Sequence, residues 1–490
     1  MSVAINQKNL AVLPRDIAIP DYDRAKLTPG FLHFGVGNFH RAHMAVYLDR
    51  LFAQGEAHDW AIVGAGVRPA NAEMREKLAA QDWLTTVVEL DPEVLTARAV
   101  CSMIDFLPID PEPILAALTD PAIRIVSLTV TEGGYYIDAA TGGLALTHPE
   151  IQADAANPDT PRTAFGLMIK ALRERRAAGT APFAVLSCDN LPGNGHLTRQ
   201  TVVSLARLVD PAFADWIATN VAFPNCMVDC ITPATTEREL RLVEERFGVT
   251  DSAPVVCEPF RQWVIEDNFP GGRPPLEKVG VEFVDDVSGY ELMKLRILNA
   301  SHASICYAAA LLGHYFVHDA MADPDILAFL RALQTREAIP TLKPLEGVDY
   351  GVYLDKVVAR FSNPEIGDTI PRLAEDGSDR QPKFILPTVR DALAVGGATG
   401  GAVEGLALEV ALWFWYQRGV DEAGKKIDIV DSRAADLKRR AEQGPEAFLA
   451  NSEVFGDLAT DPRFAEPFAH WIDRLNALGV RETLREYAVN

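Results

Sequence analysis

Short apolar segments alternate with helix-like patterns through the first 285 residues, and this alternation constrains the fold more than any other feature of the sequence. Buried strands are short, apolar and bounded by Gly, Asp, Asn or Pro, and these segments have those properties. The predicted strands are Phe31–Val36, Trp60–Val63, Ile123–Val130 and Pro182–Ser187. Helical patterns lie between them, for example at Ala42–Leu51 and Thr163–Ala178. Strands that alternate with helices predict a parallel sheet covered by helices.

The alternation stops near Ser288, and the rest of the sequence contains helical patterns without convincing strands. The predicted helices are Leu292–Leu312, Asp325–Gln334, Val352–Phe361, Val403–Gln417, Ser432–Gln443 and Phe464–Leu475. A chain of 490 residues is too long for one ordinary domain. We therefore predict an α/β protein with a Rossmann-like domain at residues 1–286, built on a parallel-rich sheet, and a mainly α-helical domain at residues 287–490.

The charge of the chain argues against nucleic acid and membrane partners. Its 68 acidic and 46 basic side chains give a net charge of −22, which repels polyanions and anionic lipids.

Six scattered cysteines without a CxxC pair, and a first segment unlike a signal peptide, predict a reduced cytoplasmic protein. The most apolar stretch, Leu406–Tyr416, contains Glu409 and is too short to span a bilayer, so it predicts a buried helix. We expect a small-molecule partner, and the oligomeric state stays open.

A glycine-containing turn follows the first predicted strand and precedes a helix. It reads Gly35-Val-Gly37-Asn38-Phe39-His40, which is the strand–turn–helix context of a dinucleotide site. Glycines let backbone N–H groups approach a pyrophosphate at the start of the helix. The third glycine of the usual fingerprint is replaced by His40, so an ordinary glycine-rich loop remains an alternative. We predict that residues 35, 37, 38 and 39 bind the cofactor.

No metal site is expected in this sequence. His40 and His43 have the i, i+3 spacing of paired ligands, but they lack acidic or cysteine partners nearby. The start of a helix that bears polar residues explains the spacing better.

The segment Lys294–His302 contains the residue types that oxidation of an alcohol requires. At about 100° per residue, Lys294, Asn299 and His302 fall within an arc of about 140° on one helix face. A base, an amide and an imidazole on one face can bind and deprotonate a hydroxyl group. The alternative is a solvated polar face, but neighbours such as Leu295 and Ile297 make the helix mostly apolar.

Six segments in the same order give the chain a specific resemblance to a known family. They are Gly35–His43 (GVGNFHRAH), Thr131–Tyr135 (TEGGY), Ser187–Pro192 (SCDNLP), Phe223–Pro233 (FPNCMVDCITP), Cys257–Asp267 (CEPFRQWVIED) and Lys294–His302 (KLRILNASH). Over nearly its whole length the chain resembles the polyol-specific long-chain dehydrogenases and reductases, the family of mannitol 2-dehydrogenase and fructuronate reductase.

The resemblance implies a catalytic group that works without zinc. The lysine that matches Lys294 is the general acid/base of the family, and the asparagines that match Asn190 and Asn299 hold the alcohol oxygen. The histidine that matches His302 helps to bind substrate. A lysine becomes neutral near pH 7 only if its pKa falls well below its usual 10.4, which burial brings about.

Five further positions either match the family or depart from it. Glu132 matches a glutamate associated with proton exchange, and Asp229 matches an aspartate on the substrate side; a capping or turn carboxylate remains the alternative for each. Cys230 replaces a family arginine, so a local ion pair is expected to be lost. Arg372 matches an arginine of the mannitol enzyme and Arg380 replaces a lysine. Both are predicted to bind distal hydroxyls or a carboxylate.

The turn after the second predicted strand bears on the choice of cofactor. The NAD-preferring mannitol enzyme has two acidic residues where this chain has Ala70 and Asn71. Asn71 can bond the adenosine ribose but does not repel a 2′-phosphate, and Arg68 lies nearby in the sequence. We predict that Arg68 and Asn71 bind the cofactor, which is NAD, and that NADP is excluded less strongly than is usual for the family.

Three functions fit these observations. The first is NAD(P)-dependent interconversion of a polyol and its ketose, with D-mannitol and D-fructose as the leading pair. The second is oxidation and reduction of the sugar acids D-mannonate and D-fructuronate. The third is a non-catalytic sugar or nucleotide sensor on the same fold, against which the intact Lys294 argues, because a sensor need not retain a base.

Overall fold

The β-strands of the protein precede residue 285 in the computed structural model, which describes residues 2–138, 141–395, 401 and 403–489. In chain order the strands are β1 (Val3–Ala4), β2 (Ile17–Ala18), β3 (Pro29–Phe34), β4 (Ala61–Ala65), β5 (Thr85–Glu89), β6 (Thr96–Val100), β7 (Met103–Phe106), β8 (Ile125–Leu128), β9 (Ala184–Ser187), β10 (Cys226–Asp229), β11 (Val249–Thr250), β12 (Val255–Cys257), β13 (Gln262–Glu266) and β14 (Glu282–Val284). The chain divides into two compact units, Met1–Ser288 and Gly289–Asn490.

A five-stranded parallel sheet forms the centre of the first unit. Its order is β7-β4-β3-β8-β9, so the chain reverses its direction of travel across the sheet between β3 and β8. Phe34 at the end of β3 lies opposite both Ala65 of β4 and Leu128 of β8. Ligands of such sheets bind beyond the carboxyl ends of the strands at this reversal. The predicted Rossmann-like architecture is confirmed.

Both faces of the central sheet are buried because helices cover them. Neighbouring residues of a strand point to opposite faces, so Phe31 and Leu32 pack in two different apolar clusters. The helices of this unit are α1 (Asn38–Ala42), α2 (Met44–Ala53), α3 (Ala70–Ala79), α4 (Pro111–Thr119), α5 (Pro149–Ala156), α6 (Ala164–Ala178), α7 (Asn194–Val209), α8 (Pro211–Asn220) and α9 (Glu237–Phe247). Thr163 caps α6 by accepting the Gly166 N–H at 2.9 Å, and Gly179 ends it in the left-handed region.

Three smaller sheets complete the first unit. Strands β12, β5, β6 and β2 form one sheet in that order, with β5 and β6 antiparallel. Strand β13 lies between an antiparallel β10 and a parallel β14 in another, and β1 pairs with β11. The two larger of these sheets combine antiparallel and parallel pairs, which the simple strand–helix alternation did not predict.

The second unit is built from helices. Those from Ser288 onward are α10 (Ser288–Met293), α11 (Ala300–Leu311), α12 (Val317–Ala322), α13 (Pro324–Leu333), α14 (Tyr350–Phe361), α15 (Ile370–Ala374), α16 (Gly377–Arg380), α17 (Leu386–Val395), α18 (Glu404–Tyr416), α19 (Ala434–Gln443), α20 (Pro445–Leu449), α21 (Ser452–Phe455) and α22 (Pro462–Val489). Segments with π-helical geometry lie at Lys294–Asn299, Gln334–Ala338 and Gln381–Ile385. The predicted helical character of this half is confirmed.

Helix α18 lies in the core of the second unit and packs against α22 and α11. Its apolar residues other than Trp415 are buried, as the sequence predicts, and the carboxyl group of Glu409 is buried with them. Gln381 donates its amide to Glu409 Oε1 at 2.6 Å. Burial raises the pKa of Glu409 to about 8. Among the described helices, none is long and apolar enough to cross a lipid bilayer.

Candidate active site

Gly35 starts the turn that leaves β3, and its position accepts only glycine. Its φ is +98°, which residues with a Cβ rarely adopt. A Cβ there would lie 2.1 Å from the carbonyl oxygen of Thr129, which follows β8. The Thr129 hydroxyl donates to the Gly35 carbonyl at 2.6 Å and fixes the turn. The turn therefore sits against the neighbouring strand at the reversal of the sheet.

Gly37 precedes α1 and faces open space, because a Cβ there would have no atom within 4 Å. Such a space beside the first N–H groups of a helix accommodates a pyrophosphate. The side chain of Asn38 is already engaged, since it donates to Thr235 Oγ1 at 2.9 Å and accepts from Arg41 at 2.7 Å. Phe39 stacks on His43. Residues 38 and 39 therefore have their backbone groups available to bind a cofactor.

His40 replaces the third glycine because its ring fills the space between α1 and the sheet. The ring is buried and stacks on His33 with centroids 3.6 Å apart. His33 is itself held by the hydroxyls of Ser127 at 2.8 Å and Thr129 at 2.9 Å. Burial lowers the pKa of His40 well below its usual value, so it is neutral. His43 also has a structural contact, since its ring lies 2.9 Å from the Gln262 carbonyl oxygen.

Asn71 folds back on the turn that follows β4. Its side-chain oxygen accepts the Arg68 N–H at 3.0 Å. A Cβ on Gly66 would lie 2.7 Å from this oxygen, which explains the glycine. The Arg68 side chain is exposed. The amide nitrogen of Asn71 and the Arg68 guanidinium are therefore the donors available at this turn.

Asp189 shapes the loop that carries Glu132, although the sequence analysis did not identify it. Its carboxylate accepts the N–H groups of Val130 at 3.0 Å and Thr131 at 2.8 Å, and the Tyr135 hydroxyl at 2.7 Å. Burial raises the pKa of Asp189, and these donors oppose the rise. Thr131 has a φ of +65°, which the buried carboxylate helps to maintain.

Asn190 and Glu132 follow the adjacent strands β9 and β8, so both lie at the carboxyl edge of the parallel sheet. Asn194 fixes the loop of Asn190, because its buried amide donates to the carbonyls of Asp189 at 3.0 Å and Cys226 at 2.8 Å. Asp229 is buried at the end of β10. The Asn194 amide thus connects the loop after β9 with the start of β10, a contact between segments that are far apart in the sequence.

Cys230 lies beside Cys257 and a buried cation. Arg261 donates to Cys257 Sγ at 3.1 Å and to Glu89 Oε1 at 2.6 Å. Arg261 thus places a positive charge next to the cysteine pair, and Glu89 compensates that charge. The predicted loss of an ion pair at position 230 leaves this second pair in place.

Lys294 and Asn299 bound a turn of π-helix, which differs from the α-helix that the sequence analysis assumed. At about 4.4 residues per turn, five residues rotate the chain by about 50° net instead of 140°. Adding three α-helical steps puts Lys294, Asn299 and His302 within about 60°. The three side chains therefore align more closely than an uninterrupted α-helix allows. Lys294 is 7% exposed.

His302 is held by stacking on Phe361, with ring centroids 3.9 Å apart. Its Nε2 is buried and has no hydrogen-bond partner among the described residues. Burial lowers the pKa of His302 to about 3, with Asp368 opposing and Arg372 reinforcing the effect. A neutral imidazole with an unused nitrogen suits hydrogen bonding to a hydroxyl group.

Arg372 and Arg380 lie together near His302, but Arg372 is already paired. Asp368 accepts Arg372 Nε at 2.6 Å, and its second oxygen accepts a further guanidinium bond at 2.5 Å. The pair holds the pKa of Asp368 below its usual value, against the effect of burial. Arg380 donates to the Arg372 carbonyl at 3.3 Å. The i, i+4 spacing of Asp368 and Arg372 was the sequence feature that would have revealed this partner.

Two sequence models of one family match the chain. The mannitol dehydrogenase Rossmann domain matches residues 29–278, and the mannitol dehydrogenase C-terminal domain matches residues 286–476. Mannitol 2-dehydrogenase of Cereibacter sphaeroides is 53% identical over 480 residues, which are 97% of this chain and 99% of that protein. Mannitol 2-dehydrogenase of Phaeosphaeria nodorum is 41% identical and covers 99% of this chain and 86% of its own.

Solved structures agree with the sequence matches. Pseudomonas fluorescens mannitol 2-dehydrogenase, in a ternary complex with NAD and D-mannitol, superposes with a TM-score of 0.85 at 42% identity, covering 99% of each chain. A substrate-free D-sorbitol dehydrogenase superposes with a TM-score of 0.92 at 37% identity, covering 98% of this chain and 100% of its own. The chain belongs to the mannitol dehydrogenase family.

Proposed function

We propose that the protein oxidises D-mannitol to D-fructose, and reduces the ketose in reverse, with NAD as cofactor and without a metal. The observation that carries this proposal is the 53% identity, over 97% of the chain, to a mannitol 2-dehydrogenase. The Gly35–Gly37 turn at the sheet reversal fits a dinucleotide, because Gly37 leaves open space at the start of α1. NAD supplies the acceptor for the hydride that leaves the carbinol carbon.

Lys294 is the proposed general base that takes the hydroxyl proton. The reaction removes a hydride and a proton from a secondary alcohol, so the protein has to accept the proton and stabilise the developing alkoxide. The burial of Lys294 favours its neutral form. Amide donation to the alcohol oxygen is the proposed role of Asn299 and Asn190, and His302 is proposed to bind a substrate hydroxyl.

The remaining roles rest on the family resemblance and on placement. Glu132, on the loop that Asp189 holds, is proposed to exchange the proton with solvent. Asp229, at the buried end of β10, is proposed to bind substrate. We also infer a cytoplasmic location, because the six cysteines are free and buried rather than paired in disulfides.

We predict that polyols are better substrates than sugar acids. A carboxylate is bound best by two cations or by a free guanidinium fork, and Asp368 already occupies the fork of Arg372, which leaves Arg380 alone for this role. Initial rates of NADH formation with mannitol, arabinitol, sorbitol and mannonate test this. Faster turnover of mannonate would replace D-mannitol by the sugar acid as the substrate. As a matched variant, Asp368→Asn frees Arg372 and is expected to raise the rate with mannonate relative to mannitol.

We predict that NAD is used with a preference over NADP below about a thousandfold. No carboxylate stands at Asn71 to repel a 2′-phosphate, and Arg68 is exposed nearby. Asn71→Asp keeps the acceptor for the Arg68 N–H and adds a charge. It is expected to raise the NAD preference about tenfold, because tenfold corresponds to about 1.4 kcal/mol and two unit charges about 4 Å apart repel by about 1 kcal/mol in water and about 4 kcal/mol near a protein surface. Steady-state kcat/KM values with both cofactors decide; a parent preference above a thousandfold contradicts the prediction.

We predict that activity survives exhaustive dialysis against a chelator. Among the described residues, no group of three or more His, Cys, Asp or Glu side chains is arranged to hold a metal ion. Lys294 supplies the base that a metal-bound water would otherwise provide. Turnover before and after dialysis measures the effect, and a loss that zinc alone reverses would remove Lys294 from its proposed role.

A further inference from the structure

The turn between α10 and α11 adopts π-helical geometry, which needs support from outside the helix. The N–H of Ala300 donates to the carbonyl of Leu295, five residues earlier. Turns of this kind are rare and recur at functional sites. Here the turn begins at Lys294 and ends at Asn299, so its geometry sets the angle between these two side chains.

A buried arginine anchors the turn on one side. Arg296 is 3% exposed, and its guanidinium donates to the Thr341 carbonyl at 3.0 Å and to the Thr341 hydroxyl at 2.6 Å. It also forms an ion pair with Asp391. A charge buried in an apolar helix is costly without such partners, so these bonds define where the Arg296 side chain lies.

A buried glutamine anchors the backbone of the same turn. Gln334 is fully buried and donates its amide to the Arg296 carbonyl at 3.0 Å. Gln334 itself begins the second π-helical segment. In a π turn some carbonyls do not receive their usual α-helical hydrogen bond. A side chain that donates to such a carbonyl therefore stabilises the π-helical backbone. The Ser301 hydroxyl adds a bond to the Ile297 carbonyl.

We propose that Gln334 and Arg296 are positioning residues that hold the π turn and thereby align Lys294 with Asn299 for proton transfer. In an uninterrupted α-helix, the angle between the Lys294 and Asn299 side chains about the helix axis would be about 140° instead of about 50°. This inference rests on the proposed role of Lys294 as the base. It assigns a function in catalysis to two buried residues that act through Lys294 and Asn299.

The test replaces Gln334 by leucine and uses Gln417→Leu as the matched control. Gln417 is also buried in the second unit, but it donates to its own helix, at the Trp413 carbonyl. We expect Gln334→Leu to lower kcat about 10- to 100-fold, since small misplacements of catalytic groups have effects of this size. The KM for mannitol and the Kd for NADH should stay close to the parent values. The inflection of the kcat–pH profile should shift. Gln417→Leu should keep the parent kcat and profile.

Thr341→Val, which removes one acceptor of Arg296, is the second variant if Gln334→Leu does not fold. It should lower kcat and shift the same inflection, by less. Parent-like kcat and pH profiles in both variants overturn the positioning role, as does an equal loss in Gln417→Leu. If Lys294→Ala loses the inflection while the Gln334 variant keeps it unmoved, only the positioning role fails. If Lys294→Ala keeps the inflection, the proposed base itself fails.

Discussion

Replacing Lys294 by alanine is expected to lower turnover by about 10² to 10⁴-fold, the usual share of a positioned general base. Folding and NADH binding should change little, because the cofactor turn at Gly35–Gly37 lies in the other unit of the chain. In the parent, polyol oxidation should rise with pH through one ionisation, since neutral lysine accepts the proton. Ketose reduction should favour lower pH, where the ammonium donates it. Steady-state pH profiles in both directions measure these effects.

In the Lys294→Ala enzyme the ionisation should disappear from the profile, and small primary amines should restore part of the rate. His302→Ala is the matched control, because His302 aligns with Lys294 and is the group of that segment whose usual pKa lies nearest to neutral pH. With its pKa lowered to about 3 by burial, His302 should not produce an inflection near neutral pH. A Lys294→Ala enzyme with the parent profile would move the base to His302 or Glu132.

The central sheet was predictable from the sequence because its strands are apolar on both faces. The four predicted segments correspond to β3, β4, β8 and β9. The fifth strand, β7, was missed because its four residues, Met103–Phe106, include the polar Asp105 and are too few to form a pattern. Strands β5 and β6 belong to a mixed sheet whose other members come from residues far away in the chain, which local patterns do not reveal.

Motifs in the sequence identify the residues of the candidate site, but they do not reveal the contacts that support these residues. Asp189 and Asn194 act on backbone groups of loops that meet only in the folded chain. The π turn at Lys294–Asn299 depends on the Gln334 side chain, which comes from a different helix. No local pattern in KLRILNASH distinguishes a π turn from an α-helix. Tertiary contacts therefore decide the geometry that the sequence left open.

Glu409→Gln is expected to remove a pH-dependent loss of stability from the helical unit. The Gln381 amide donates to Glu409 Oε1 at 2.6 Å, whereas Glu409 Oε2 and the side-chain oxygen of Gln381 are buried without a hydrogen-bond partner among the described residues. Protonation turns one carboxyl oxygen of Glu409 into a donor and removes the buried charge. A negative charge on Glu409 raises the pKa of Cys306 and Tyr307 of α11, so neither of these neighbours stabilises the ionised carboxylate.

The sign follows from the proton count. The pKa of Glu409 is about 8 in the folded protein and 4.5 as a free side chain, so between these values the folded state binds the additional proton. Its stabilising contribution is complete below pH 4.5 and is lost as the pH rises through about 8. At 1.36 kcal/mol per pKa unit, the loss is about 5 kcal/mol at most. A glutamine at position 409 keeps an oxygen to accept the Gln381 amide and has no proton to lose.

Urea unfolding of the parent and of Glu409→Gln between pH 5 and pH 9, followed by circular dichroism, measures the difference directly. The variant should match the parent at pH 5 and exceed it increasingly toward pH 8. Glu337→Gln is the matched control: Glu337 is also buried, but it accepts the N–H groups of Gly405 at 2.7 Å and Leu406 at 2.9 Å, and the Tyr487 hydroxyl. An amide there turns a donor toward donors and should destabilise the protein at every pH. If Glu409→Gln is destabilised at pH 5 as Glu337→Gln is, then Glu409 is ionised in the folded protein, and its carboxylate rather than its proton holds Gln381.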